Sequence, residues 1–115
     1  MNNRSLKIYI GAPYSGETEE ERVRNVEAAI DAACILFQKG HFPYIPHLTH
    51  FVDKRTKETK IIFKWEDYMK WHKPWLEACD GFLYLSSSKG ADLELQTAKD
   101  LKKLIFYSIE EIHRV

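Results

Sequence analysis

At 115 residues the chain is expected to form one domain, residues 1–115, with room for four or five strands and covering helices around a single core. Its 44% apolar and 30% charged content is that of an ordinary soluble protein, and seventeen basic residues cancel seventeen acidic ones. A balanced charge gives no attraction for a nucleic acid polymer or an anionic membrane surface, so neither is an expected partner.

No apolar run approaches the roughly 18 to 20 residues that span a bilayer. The opening "MNNRSLKIYIG" runs into a strand-like segment without the apolar stretch of a secretory signal. Cys34 and Cys79 fall on predicted inward helix faces and read as reduced core thiols, as expected of a cytoplasmic protein. Aromatic content is high, 13%, with Trp and Tyr concentrated between 65 and 75, which fits a shaped pocket, a subunit interface or a rich core.

"LKIYIG" (6–11) reads as a first strand closed by Gly11. "APYSGETEEE" is a turn leading into an acidic helix start, where negative charge suits the helix dipole. From Thr18 to Lys39, Val23, Val26, Ile30, Ala33, Cys34 and Phe37 recur at three- and four-residue steps, which predicts a helix with one buried face. Gly40 is a natural stop. "HFPYIP" (41–46) reads as a second strand, and the charged stretch within 47–64 as an exposed loop. Helical spacing returns with Tyr68, Trp71, Trp75, Leu76 and Cys79, and Pro74 predicts a kink or break near Lys73. "GFLYL" (81–85) is a third strand, 90–103 a helix, "LIFYS" (104–108) a fourth strand and "IEEIHRV" a short terminal helix.

Strands alternating with helices predict an α/β fold, a three-layer, doubly wound, mainly parallel sheet of four to five strands of the Rossmann/flavodoxin-like kind. Such sheets bind ligands at the carboxyl ends of their strands, near the point where strand order reverses. The loops after strands one and three, "GAPYSG" and "SSSKG", would open there.

On a helical wheel, Leu95, Ala98 and Leu101 fall within roughly 80° of Ala91, and Glu94 falls inside that arc at about −60°. Glu94 is therefore an inward carboxylate in the first turns of a helix. One reading is a cap for free backbone N–H groups; the other is a catalytic or ligand-binding group. The Gly-containing turn "SKGA" supplies N–H groups suited to an anion such as a phosphate. A carboxylate, hydroxyls and an anion cradle together point to a sugar phosphate or nucleoside.

"IYIGAPYSG", "RVRNVEAA", "GHFPYIPHLTHF", "WLEACDGFLYL" and "SKGADLELQTA" resemble, in this order, the nucleoside 2-deoxyribosyltransferase-like superfamily over residues 7 to 107. That group includes deoxynucleoside 5′-monophosphate N-glycosidases and small uncharacterised relatives, and the likeness is closest to the latter branch. The resemblance implies N-glycosidic chemistry on a nucleoside or nucleotide. Glu94 would be the nucleophile that forms a glycosyl-enzyme ester, and Tyr9 its hydrogen-bonding partner. Ser88 and Gly90 match the turn that contacts sugar or phosphate, and Gly11, Ser15 and Gly16 match the first loop. A homodimer or higher homo-oligomer is also implied, and Leu93, outside the helix's buried face, suits such a contact.

The sequence departs from the family pattern twice. Tyr14 and Ser15 stand where the monophosphate hydrolases carry a first-loop arginine, and "HKPWL" places His72 where relatives often have an aspartate. A histidine serves as a general acid near neutral pH, and Asp67, one turn earlier, is the other candidate. Asp80 matches a recurrent family aspartate and is expected to hold a turn. His47 and His50 are three residues apart without a Cys partner or an HExxH pattern, so neither a metal site nor a cofactor is expected. The two either line the pocket mouth, with His47 a substrate contact, or are plain loop histidines. A non-catalytic nucleotide-binding module with the same pocket is the alternative function.

Overall fold

The structure, a computed structural model, describes residues 4–115. Four parallel strands, β1 (Lys7–Gly11), β2 (Phe42–Tyr44), β3 (Gly81–Tyr84) and β4 (Leu104–Phe106), form one sheet in the order β2-β1-β3-β4. Four helices cover it: α1 (Glu19–Gln38), α2 (Thr49–Thr59), α3 (Trp65–Ala78) and α4 (Lys89–Asp100). Single 3-10 turns lie at Pro46–Leu48 and Ile109–Glu111. This is the doubly wound α/β architecture expected from the strand–helix alternation.

Strand residues alternate between the two faces with period two. Ile8, Ile10 and Leu83 meet Ala29, Ala32 and Leu36 of α1, with Ile112 closing the cluster. Tyr9 and Phe82 meet Leu76, Cys79 and Ala98 on the other face. The chain steps from β1 to β2 in one direction and returns across β1 to β3. Right-handed crossovers in opposite directions put their helices on opposite faces. Strand order therefore reverses between β1 and β3, and the loops after those strands part to leave a crevice.

Local chemistry sets the helix ends. Thr18 Oγ1 accepts from the Glu21 N–H at 3.1 Å, and Glu19, Glu20 and Glu21 complement the start of α1. Gly40, at φ +96, ends the helix in a conformation that favours glycine. Asp80 ties the sheet's amino edge: its carboxylate accepts from the Lys7 N–H at 2.9 Å and lies 3.5 Å from Arg4. That is the turn role expected of it.

Several expectations are corrected. Residues 49–59 form α2 and not a loop, because the inward row of that helix is polar and leaves no apolar stripe. His50 and Thr56 are its buried residues. Helix α3 runs unbroken through Pro74; the side carrying Pro74 and Lys70 is exposed, so the carbonyl left without a partner faces water. Phe37 is 63% exposed and Cys34 is also exposed, so the buried face of α1 is Val26, Ala29, Ala32, Ala33 and Leu36. The last strand and last helix are shorter than expected, Leu104–Phe106 and Ile109–Glu111, and Leu101 is exposed beyond the end of α4.

Candidate active site at the carboxyl edge of the sheet

A cavity of about 630 Å³ lies at the carboxyl edge of the sheet, between the loop after β1, the turn after β2, helices α2 and α3, and the first turns of α4. Among the expected site residues, Ser15, His47, His72, Ser88, Gly90 and Glu94 line it.

Glu94 reaches inward from α4 and accepts a hydrogen bond from the Tyr9 hydroxyl through Oε2. Tyr9 is fully buried, on the strand face that meets α3 and α4. Its ring stacks on Phe82 at 5.7 Å and lies 5.3 Å from Tyr44, which in turn stacks on Trp75 at 5.7 Å. The phenol is thus fixed by rings on both sides. Burial pushes the Glu94 carboxyl up to about 7, against the opposing pull of the Tyr9 hydrogen bond. Burial, and then the charge of Glu94, pushes the Tyr9 phenol well above its usual value.

The N-terminus of α4 is capped by other groups. Ser88 Oγ accepts from the Ala91 N–H at 3.1 Å, while Asp92 accepts from the Ser87 and Tyr84 hydroxyls, each at 2.7 Å. Glu94 is left to face Tyr9 and the cavity.

His72 is 6% exposed and engaged at both ring nitrogens. Thr49 Oγ1 donates to the Pro46 carbonyl at 2.9 Å, so its oxygen is free to accept from His72 Nε2–H at 3.4 Å. The Tyr44 hydroxyl then donates to Nδ1 at 3.1 Å. Burial, with a smaller contribution from His47, pulls His72 down to about 4. The imidazole is therefore neutral near pH 7, with its one N–H directed at Thr49.

His47 Nε2–H donates to the Ala12 carbonyl at 2.9 Å, bracing the first loop. Its Nδ1 is buried without a partner, and burial lowers its pKa. Two side chains of α1 complete the brace: Asn25 Nδ2 donates to the Tyr14 carbonyl at 3.0 Å, and Arg22 donates to the Gly16 carbonyl at 2.8 Å. His50 Nδ1 pairs with the Tyr14 hydroxyl at 2.9 Å.

Four expected site residues lie outside the cavity lining: Tyr9, which meets the site through its bond to Glu94, and Asp67, Gly11 and Gly16. Asp67 turns back on its own helix and accepts from the Lys64 N–H at 2.8 Å, capping α3. Gly11 is buried under the Phe82 ring, which a Cβ at that position would strike. Gly16 sits against Glu21 and presents its carbonyl to Arg22.

Sequence reasoning missed the α2 side of the cavity and touched the α3 side only through the aromatic concentration between 65 and 75. Asp53, Phe63, Trp65, Glu66, Tyr68 and Met69 line the cavity, as does Lys89, whose ammonium lies 4.6 Å from the Trp65 ring centre. The available signal was the three-residue step from His50 to Asp53 to Thr56, a helical row made of polar residues.

Among the described residues no group of three or more His, Cys, Asp or Glu side chains is placed to hold a metal ion. No described helix is long and apolar enough to cross a membrane. A search of the curated proteins found no match. Residues 6–107 match the family model described as Domain of unknown function (DUF4406), and the chain belongs to that family.

Proposed function

We propose that this protein cleaves the N-glycosidic bond of a (deoxy)nucleoside or its 5′-monophosphate, as the likeness to the nucleoside 2-deoxyribosyltransferase-like superfamily implies. The observation that carries this reading is the partly buried Glu94 carboxylate, held by Tyr9 at the wall of a nucleoside-sized cavity. An ionised Glu94 oxygen attacks the anomeric carbon as the C–N bond breaks. The bond's electron pair leaves with the base, whose nitrogen is protonated, and a glycosyl-enzyme ester forms. Water then hydrolyses the ester, or a second base takes up the sugar.

His72 and Asp67 were the candidate proton donors. His72 is neutral with both nitrogens engaged, and Asp67 caps its own helix, so the departing base takes its proton from water at the cavity mouth. His72 enters this reading as a brace for Tyr44. Charge around the cavity favours the unphosphorylated substrate: Asp53, Glu66 and Glu94 face a single lining cation, Lys89. In addition, the Ser87 hydroxyl is already spent on Asp92. A homodimer and a cytoplasmic setting belong to the same proposal, and sedimentation equilibrium tests the former.

The second reading is a nucleoside-binding module without turnover, which the neutral, fully engaged His72 favours. Incubation with a panel of nucleosides and 5′-monophosphates, following free base by chromatography, separates the two. The enzyme reading expects base release that Glu94→Gln abolishes. Ligand-induced thermal stabilisation without any release supports the binding module, and release undiminished in Glu94→Gln rejects the nucleophile.

A further inference from the structure

The part of the cavity lined by α2 and the start of α3 is built differently from the part that holds Glu94. Asp53 stands on α2, a helix invisible to hydrophobic periodicity, and its side chain is 28% exposed. The Tyr68 hydroxyl donates to Oδ1 at 3.1 Å, fixing the carboxylate from the neighbouring helix. Lys57 lies 3.2 Å from Oδ2, but it is 72% exposed and its charge is shared with solvent. Each carboxylate oxygen keeps a lone-pair direction unused.

Aromatic surfaces surround this carboxylate. The Phe63 and Tyr68 rings meet edge to face at 5.9 Å. Tyr14 lies close enough for the Asp53 charge to help raise its phenol to about 12, after burial as the larger cause. Its hydroxyl is held by His50, so it presents a ring and not a free donor. An aromatic-rich lining with an acceptor-only carboxylate beside it suits a planar heterocycle that carries hydrogen-bond donors on its edge.

We propose that Asp53 is a specificity-determining residue that accepts a hydrogen bond from an exocyclic amino group of the nucleobase. This rests on the nucleoside reading above and deepens it: the site prefers amino-bearing bases to their carbonyl counterparts. A carboxylate accepts well from an amino group, as it does from cytosine N4 in base recognition. Replacing that amino group by a carbonyl sets two acceptors against each other, with nothing between them to share a proton. The Glu66 carboxylate, which also lines the cavity, adds to the bias against electron-rich edges.

The test uses pairs in which the exocyclic amino group becomes a carbonyl and the adjacent ring nitrogen gains a hydrogen, deoxycytidine with deoxyuridine and deoxyadenosine with deoxyinosine. Binding is measured by calorimetry in a Glu94→Gln background, where no turnover intervenes, and base release is followed in the wild type. The expected result is that the amino member of at least one pair binds roughly tenfold or more tightly. That preference collapses toward unity in Asp53→Asn, whose amide can turn to offer either a donor or an acceptor, and weakens partially in Tyr68→Phe. A matching thermal unfolding curve for Asp53→Asn confirms that the variant is folded. Equal binding of both members, or a preference that survives in Asp53→Asn, overturns the assignment while leaving the glycosidase reading intact. Absence of both binding and base release for every pair member overturns the two together.

Discussion

Two titratable groups, one buried and one partly buried, border the same cavity, and each is bonded to a tyrosine from a neighbouring strand. Glu94 meets Tyr9 of β1, and His72 meets Tyr44 of β2; the two tyrosines are partners in the parallel register. Burial drives both groups toward neutrality, the carboxyl up to about 7 and the imidazole down to about 4. They differ in what is left over. Both His72 nitrogens are taken, by Tyr44 and Thr49, whereas the Tyr9 hydroxyl engages only Oε2 of Glu94. A buried polar group with every partner satisfied is a brace. One with an unspent acceptor beside a cavity is available for chemistry.

The sharpest way to break this comparison is Glu94→Gln, which removes the nucleophile and leaves the size and packing nearly unchanged. Base release by the active protein should fall by on the order of a thousandfold or more. Tyr9→Phe comes next, with a loss of roughly ten- to a hundredfold in kcat/KM. It should also move the acidic limb of the pH–rate profile. In the wild type that limb lies near pH 7, where Glu94 ionises, and the Tyr9 hydrogen bond holds it down. Without that bond the limb shifts upward; an unmoved limb assigns it to another group.

Stability against pH sharpens the contrast further. Glu94 binds its proton more tightly folded than unfolded, so its contribution falls as pH rises from 4.5 toward 7. His72 binds its proton less tightly folded than unfolded, so its contribution grows as pH rises from 4 to 6.5 and is lost on acidification. In the wild type the two slopes oppose one another. Glu94→Gln should expose a rising curve, and His72→Gln a falling one, each differing from wild type by about 3 kcal/mol across its window. Urea denaturation at half-unit pH steps reads both. The smallest effect belongs to Tyr44→Phe, which leaves His72 Nδ1 unsatisfied and costs about 1 kcal/mol, with the acidic limb of the rate profile in place.

The legible parts of the molecule are those where apolar residues mark the period. Ile8 and Ile10 alternating with Tyr9, and Ala91, Leu95 and Ala98 around Glu94, announce a strand and a helix whose facing sides meet. The inward direction of Glu94 follows from that stripe alone. Helix α2 has no such stripe. His50, Asp53 and Thr56 form its inward row, so its contacts are hydrogen bonds to Tyr14, Tyr68 and its own carbonyls. Periodicity in apolar residues has nothing to register there, and the wall carrying Asp53 went unread with it. Asp67 shows a different limit: its place in the chain suits a proton donor, but three residues of local backbone decide that it caps α3.

The central claim is that Glu94 carries the sugar between departure of the base and its transfer. Acid quenching during turnover of the preferred nucleoside, followed by peptide mapping with mass spectrometry, tests this directly. The prediction is a glycosyl adduct on the peptide containing Glu94, lost in Glu94→Gln. Base release with the adduct on another residue, or with no adduct under conditions where the ester survives quenching, would contradict it.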